Sequence, residues 1–458
     1  MGGLFGSMGT ALGALSLNQE ALDITTNNIA NINTPGYSRQ VAGISENTPI
    51  TYANLQFGQG AQITGIQSIR DQVLQTRIYN ETQQQAGSNA FLGPMQQVQA
   101  SFNDAGGTGL QKSMTAFFSS WALLSVNPSD IPSRQGVITA GKNLATTFNS
   151  AAKNLTVLRG NLNQQVPGDI QQINTIAQSV AKLNLQVANA RNSGQNSGTL
   201  EDQRNALIQN LSQIVGVSVT NGNNGQISLS TGQGSALVVE GQSFALQAQS
   251  DPASGMTHII SNGNDITSQI SGGQLGGTLQ ARDQAISNLQ TQLDTLASGI
   301  AAAVNTAHQA GTDLNGAPGQ VFFSVPATTP GTAAVMSVNI QDPALIAAGQ
   351  SGASGDNSNA LALSGLQNQN IVAGQSANNY YINTVSQLGN DISSAQTSSD
   401  AQTAVLQQLK TQQSSVSGVS LDEEAANLVQ FQRAYQASAR VITIVDQLTS
   451  VAINMGAP

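Results

Sequence analysis

Asn27-Asn28-Ile29-Ala30-Asn31-Ile32-Asn33-Thr34-Pro35-Gly36-Tyr37-Ser38-Arg39-Gln40 closes an amphipathic segment that begins at Leu4. Within that segment Met8, Leu12, Leu15, Gln19, Leu22, Thr26 and Ile29 alternate in steps of four and three. This spacing is the heptad seam of a helix that packs lengthwise on another. Gln19 and Thr26 weaken the seam, and Gly2, Gly3, Gly6, Gly9 and Gly13 lower helix propensity. Alone in water such a helix is marginal, so it needs a partner. Thr34-Pro35-Gly36 then stops it with a turn.

A partner stands at the other end of the sequence. Ser420 lies three residues before Glu423, a capping-box spacing, and Asp422, Glu423 and Glu424 place negative charge at a helix start. Leu428, Phe431, Tyr435, Ser438, Ile442, Val445, Leu448 and Ala452 then follow one helix face. From Leu421 to Ala452 this predicts a helix of about 48 Å.

Between these helices, 37–69 reads as extended and 69–211 as mostly helical. A helix is expected to start at Pro167-Gly168 and to carry Ile170, Ile173, Ala177, Val180, Leu183, Val187 and Ala190 on one face. Val215, Val217 and Val219 change the period to two, with Ile227 and Leu229 beyond the Asn221–Gly225 turn. Ala236–Val239, Phe244–Leu246 and His258–Ile260 read as further strands, and Gly272, Gly273, Gly276 and Gly277 close the β-region. Helix returns from Leu279 to His308. A Gly/Pro/Ala/Ser stretch follows, with one strand at Met336, Val338 and Ile340, and helix resumes from Ile382 to Leu409. The expected fold is mainly α with a small inserted β-domain, in a nested, elongated subunit with paired terminal helices. Its parts are 1–68 (N-terminal half of the terminal helical domain, with an extended linker), 69–212 (helical middle domain), 213–274 (β-insert), 275–416 (second part of the middle domain) and 417–458 (the C-terminal helix).

Composition narrows the function. Charged residues make up 9% of the 458 residues and aromatics 4%, so long helices with alanine and leucine seams are expected over an aromatic-rich enzyme core. With a net charge of −9 and Arg39 the single basic residue of the first 69, there is no phosphate-binding cluster and no polybasic membrane patch. Nucleic acid and membrane insertion are therefore not expected among the partners. The chain has no Cys, which removes disulfides, thiolate zinc sites and cysteine nucleophiles, and suits a protein that travels unfolded. No apolar run reaches the length of a membrane span, and Met1–Leu17 lacks the basic start of a secretory signal.

The run from Ala11 to Gln40, above all Asn27-Asn28-Ile29-Ala30-Asn31 and Thr34-Pro35-Gly36-Tyr37, resembles the N-terminal signature of the flagellar rod, hook and hook-associated family. Ser417–Leu428 and Gln430–Ile442 resemble that family's terminal helix. Leu200-Glu201-Asp202-Gln203-Arg204, Gln209–Ser212 and Gly276–Asp283 resemble its hook-associated branch more loosely, and Tyr37-Ser38-Arg39-Gln40 favours that branch over hook protein. The resemblance implies a self-assembling motility component of the hook–filament junction. It would be exported by the flagellar type III apparatus, with termini that are disordered in solution and pair into an inner tube on assembly. Its implied partners are copies of itself, hook protein, a second junction protein (hook-associated protein 3) and a cytoplasmic export chaperone docking on the C-terminal helix. Its implied location is the extracellular flagellum. The expected assembly interface is Leu12, Leu15, Leu22, Asn27, Asn28, Ile29, Asn31, Thr34, Pro35, Gly36, Tyr37, Leu428, Phe431, Tyr435, Ile442, Val445 and Leu448. No cofactor and no catalytic or metal residue is expected.

Other readings compete with these. Asn27, Asn28, Asn31 and Asn33 either bond neighbouring subunits or belong to a fraying helix end. Gly136–Asn143 approaches a P-loop, but the position that should be Ser or Thr is Asn143 and no strand precedes it, so a helix face with a tolerated Gly is expected. His258 and His308 have no nearby His or Cys, so they read as a strand residue and a helix-end residue. Capping explains Asp422-Glu423-Glu424 better than a carboxylate pair does. Hook protein, an enzyme carried on an axial scaffold, and a surface-binding module built on 213–274 are the alternatives.

Overall fold

The computed structural model describes residues 2–52, 55–102, 109–351, 353 and 355–455. Its first helix, α1 (Gly2–Ala30), leads into strands β1 (Gln40–Glu46), β2 (Ile50–Tyr52), β3 (Leu55–Phe57) and β4 (Ala61–Ser68). The segment expected as an extended linker is thus a folded-back ribbon. β1 pairs with β4 from Gln40↔Ser68 to Glu46↔Ala61, and β2 pairs with β3 at its tip.

Four helices follow: α2 (Gln72–Ser101), α3 (Leu110–Val126), α4 (Ile131–Asn192) and α5 (Gly198–Ile214). Asp71 caps α2 by accepting from the Val73 and Leu74 amides, and Asp130 caps α4 by accepting from Ser133. α4 corrects the expected start at Pro167, because it runs unbroken through that residue for 62 residues, roughly 93 Å. Proline removes one intrahelical bond. The buried stripe nevertheless continues on both sides, with Leu155 and Leu162 before it and Val166, Ile170 and Ile173 after it. Packing on both sides holds the helix together across the missing bond. Pro167 also marks where α4 passes from one core to the other.

The first core joins α3, the first half of α4, and later helices. It includes Phe117, Phe118, Trp121, Phe148, Phe322 and Phe323, so six of the chain's 18 aromatic residues lie together there. Phe322 and Phe323 have centroids 4.8 Å apart, edge to face, and Trp121 lies 5.7 Å from Phe322. Gly136–Asn143 is helical within α4, so it forms no phosphate-binding loop. Gly141 there is required rather than tolerated, because a Cβ would sit 2.9 Å from Phe322 Cε1.

The second core joins the rest of α4 and α5 to the β-insert. Its strands are β5 (Val217–Asn221), β6 (Ile227–Thr231), β7 (Ala236–Val239), β8 (Gln242–Ser243), β9 (Gln247–Ser250), β10 (Thr257–Ser261) and β11 (Asn264–Asp265). They form an antiparallel sheet in the order β5-β6-β7-β8 and a smaller one in the order β11-β10-β9. Phe244–Leu246, expected as a strand, connects the two sheets instead. Asn174 of α4 takes the place of a ladder partner there, donating to Leu246 O at 2.8 Å and accepting from Leu246 N at 2.8 Å.

The chain returns through α6 (Gly273–Leu279), a π-helical turn at Gln280–Ala285 and α7 (Ile286–Gln309). α6 crosses α2 so closely that a Cβ on Gly277 would lie 2.1 Å from Gly87 O. β12 (Phe323–Ser324), α8 (Thr332–Val335), β13 (Ser337–Val338) and α9 (Ser358–Gly365) wrap the first core. The strand expected at Met336–Ile340 is only the short β13, paired with β12. Last come α10 (Ala377–Ser417) and α11 (Leu421–Met455).

α2 and α10 form an antiparallel stalk between the cores and the terminal helices. Its buried apolar set is Leu74, Ile78, Leu406 and Leu409. Side-chain bonds do much of the remaining pairing: Gln75–Gln413 at 2.6 Å, Gln85–Thr403 at 2.6 Å and Asn89–Ser399 at 2.6 Å.

Candidate assembly interface

The stretch from Asn27 to Gln40 is where the distant parts of the chain meet. Asn28 is 1% exposed. It donates to Gln40 O at 2.8 Å, and its Oδ1 accepts from Gln40 N at 3.0 Å and from Tyr37 Oη at 2.8 Å. These three bonds fold the ribbon back onto α1, so Asn28 neither frays nor faces a neighbour. Asn31 does close the helix end locally. It donates to Asn27 O at 3.0 Å and accepts from Thr34 Oγ1 at 3.1 Å. Gly36 completes the turn with φ +79°, a left-handed conformation that favours glycine. Asn27, Asn33, Thr34, Pro35 and Gly36 are exposed.

The next residues each hold a different element. Ser38 donates from N and Oγ to Asp202 of α5, at 3.0 and 2.7 Å. Arg70 joins the same group, with Nη2 2.8 Å from Asp202 Oδ1 and Nη1 on Glu201. Arg191 at the end of α4 reaches Glu201 at 2.7 Å. Burial pushes the Glu201 carboxyl up, but bonds from Ser197 and Arg191 and the charges of Arg70 and Arg191 outweigh it, so it stays below its usual range. Arg39 turns the other way. Its amide donates to Ser417 O at 2.9 Å, Nη1 lies 2.8 Å from Glu423 Oε2, and Nε lies 2.7 Å from Glu424 Oε1. The acidic start of α11 is therefore more than a cap, since two of its carboxylates hold the single basic residue of the first 69. Burial, with the nearby charges of Asp202 and Glu424, pushes the Tyr37 phenol up to about 12.

With the end of α1 tied to the start of α11, the two helices run antiparallel. On α11 the expected face is the covered one: Leu428, Phe431, Tyr435 and Ile442 are half-buried and Val445 is buried, while Leu448 is 50% exposed. On α1 the covered seam is not the expected one. It consists of Ala11, Asn18, Ala21, Thr25 and Asn28, one residue earlier, with Ile24 beside it. Leu12 is 49% exposed, and Leu15, Leu22 and Ile29 are half-buried. α1 thus carries two adjacent seams: a small-residue seam packed within the chain and a leucine-rich seam only partly covered, with Leu12 its most exposed residue.

Elsewhere the side chains serve the fold. His308, buried in the last turn of α7, bonds Gln320 O through Nδ1 at 2.7 Å and accepts from Ala347 N through Nε2 at 2.9 Å. Burial, aided by Arg134, depresses it to about 4. His258 in β10 pairs with Asp265 at 2.5 Å. Among the described residues no group of three His, Cys, Asp or Glu is placed to hold a metal ion, and no helix is long and apolar enough to cross a membrane. The sequence reading missed Arg39 as a latch and Ser38, Arg70 and Asp202 as a hub. The signal available was the isolation of Arg39 in a stretch otherwise without basic residues.

Comparison with known proteins agrees with this geometry. Residues 95–323, half of the chain, match the family model of the flagellar hook-associated protein FlgK helical domain. Residues 8–37 match the flagella basal body rod protein, and 411–455 match the flagellar basal body rod FlgEFG protein C-terminal model. The chain is 29% identical to flagellar hook-associated protein 1 of Bacillus subtilis (strain 168), covering 98% of both. It is 27% identical to the Escherichia coli (strain K12) protein of that name, covering 97% of this chain and 98% of the relative. A solved structure of the flagellar hook junction protein FlgK from Burkholderia pseudomallei matches with a TM-score of 0.67 at 19% identity. It covers 75% of this chain and 100% of that one, and this likeness speaks to the fold.

Proposed function

The chain belongs to the flagellar hook-associated protein FlgK family, and from that premise we propose that it is a structural subunit joining hook to filament in the bacterial flagellum. The observation that carries this reading is the helix pair made from the two termini, joined at Arg39 and Glu424 and still presenting uncovered apolar seams. A globular enzyme has little use for such a feature. A subunit whose neighbours supply the missing apolar surface, at roughly 25 cal/mol per Å² buried, does.

On this reading the subunit works outside the cell without catalysis. It is exported unfolded, a state that the absence of cysteine suits. Its terminal helices become fully ordered only beside their neighbours, so ordering is coupled to binding. Partners are other copies of the chain, hook protein below and hook-associated protein 3 above. An export chaperone would hold the exposed side of α11 before release. The assembly surface is the partly covered seam with Leu12, Leu15, Leu22 and Ile29 and the exposed turn 33–36, together with Leu448 on α11. Leu428, Phe431, Tyr435, Ile442 and Val445 instead hold the pair itself together.

Deleting the gene in its host tests the reading. The expected result is hooks without filaments and flagellin lost to the medium. Normal filaments in the deletion strain would overturn it.

A further inference from the structure

A cavity of about 520 Å³ lies where the terminal helices meet the body of the chain. Its walls come from the turn after α1, the start of α2, α5, the β-insert and the end of α10, through Pro35, Tyr79, Arg204, Asn221 and Lys410 among others. The volume is that of a small-molecule site. The lining is mostly polar and includes the amides of Gln72, Gln209 and Gln413.

Three acids and three bases line the cavity, and they are not equally matched. Glu201 and Asp202 are paired with Arg70 and, from outside the cavity, with Arg191. Asp71 caps α2, accepting from the Val73 and Leu74 amides at 2.9 and 3.0 Å. Among the described residues no carboxylate pairs with Arg204 or Lys410. Lys410 is exposed, but Arg204 is only 5% exposed. Its Nη1 donates to Asn184 Oδ1 at 2.9 Å and to Gly225 O at 2.7 Å. Its Nε is buried without a partner, and its Nη2 donates to none of the described residues. A buried donor left unmet is costly, so such an edge calls for an acceptor. Nε and Nη2 together form the edge that grips carboxylate or phosphate with two parallel bonds. With Nη1 held by α4 and the insert turn, that edge is the part of Arg204 left to face the cavity it lines.

We infer that this cavity binds a small oxyanion, a carboxylate or a phosphate, seated on the free edge of Arg204 with Lys410 as its second positive contact. The site is independent of the assembly reading above and goes beyond it. Arg204 belongs to α5 and Lys410 to α10, and the turn 31–38 walls the same space. A bound anion therefore bridges the body and the stalk beside the turn, and resists any movement that opens the joint. Dissolved anions thereby fasten the terminal helices to the rest of the chain by mass action.

The test titrates the full-length chain by calorimetry in Tris chloride at constant ionic strength, once with inorganic phosphate and once with citrate. Saturable one-site binding is expected. Binding of phosphate alone assigns a phosphate site, binding of citrate alone a carboxylate site, and mutual displacement a site for either. Lys410 is exposed and makes no bond, so Lys410→Gln keeps the fold, and it is expected to weaken binding at least tenfold. Arg204→Lys keeps the charge but loses the two-bond edge, and is expected to do the same; should it fail to fold, Lys410→Gln decides. The Arg39 and Ile69 amides, bonded at the joint to Ser417 O and Arg39 O, report the fastening. At ten times the dissociation constant their hydrogen exchange should slow about tenfold. No saturable binding by either anion, or binding that both substitutions leave unchanged, would overturn the site. Binding that leaves exchange at Arg39 and Ile69 unchanged would overturn the fastening.

Discussion

Replacing Arg39 by alanine should unfasten the terminal helices while leaving both cores intact. Two carboxylates contact its guanidinium, and they differ in burial. The Glu423 side chain is 61% exposed, so its 2.8 Å contact contributes under about 1 kcal/mol. The Glu424 side chain is 2% exposed and would be left as an uncompensated buried charge. Breaking a fully buried pair costs about 3–5 kcal/mol. Because the Arg39 side chain is itself 21% exposed, solvent screening reduces this to about 2–3 kcal/mol. At 1.4 kcal/mol per tenfold, amide protection in α1 and α11 should fall by about 30- to 150-fold by hydrogen exchange, with amides of α3 and α7 unchanged. Adding Glu424→Gln to Arg39→Ala removes the stranded charge and should recover most of the loss. Protection unchanged within about twofold, or a double variant that loses the sum of the two single losses, would refute the latch.

Three more outcomes are expected. Asn28→Ala removes three hydrogen bonds and should cost about 2 kcal/mol, read as lost exchange protection at Gln40. Burial pushes Asp169 up to about 6, so its ionised form strains the fold at neutral pH. Asp169→Asn should therefore stabilise the chain by about 1–2 kcal/mol in denaturant titration at pH 7.5, and the gain should fall away between about pH 6 and pH 4 and vanish below about pH 3, where the carboxyl is protonated both folded and unfolded. His308, at about 4 when folded, has the opposite sign: the unfolded chain takes up its proton first. Stability should drop by about 3 kcal/mol as pH falls from 6.5 through 4, and His308→Gln should flatten that part of the profile.

Much of this architecture is legible in the sequence because its elements are long and periodic. The α11 face from Leu428 to Val445 follows directly from its spacing, and the change of period at Val215 marks the β-insert. The error on α1 is instructive. Its sequence holds two heptads one residue apart, one rich in leucine and one in alanine, threonine and asparagine. Size alone favours the first, but close packing against α11 uses the second. Pro167 misleads for a related reason, since local propensity signals a break while two cores hold the helix on either side. The strand expected at Phe244–Leu246 is absent because Leu246 bonds a side chain in place of a neighbouring strand. Its partner Asn174 is a side chain far away in sequence, which no periodicity reveals. Arg39 and Glu424 are separated by 385 residues, so their bond is invisible to any local pattern.

That separation also orders the folding of the chain. Closing a flexible loop of 385 residues costs about 5 kcal/mol of chain entropy. Once the cores have formed and α2 has zipped onto α10 as far as Gln75 and Gln413, only 40–74 and 414–423 remain loose, and the same estimate falls to roughly 3 kcal/mol. The ends therefore meet last and part first. The row of glutamine, serine and threonine bonds along the stalk sets how readily they do so, without touching either end.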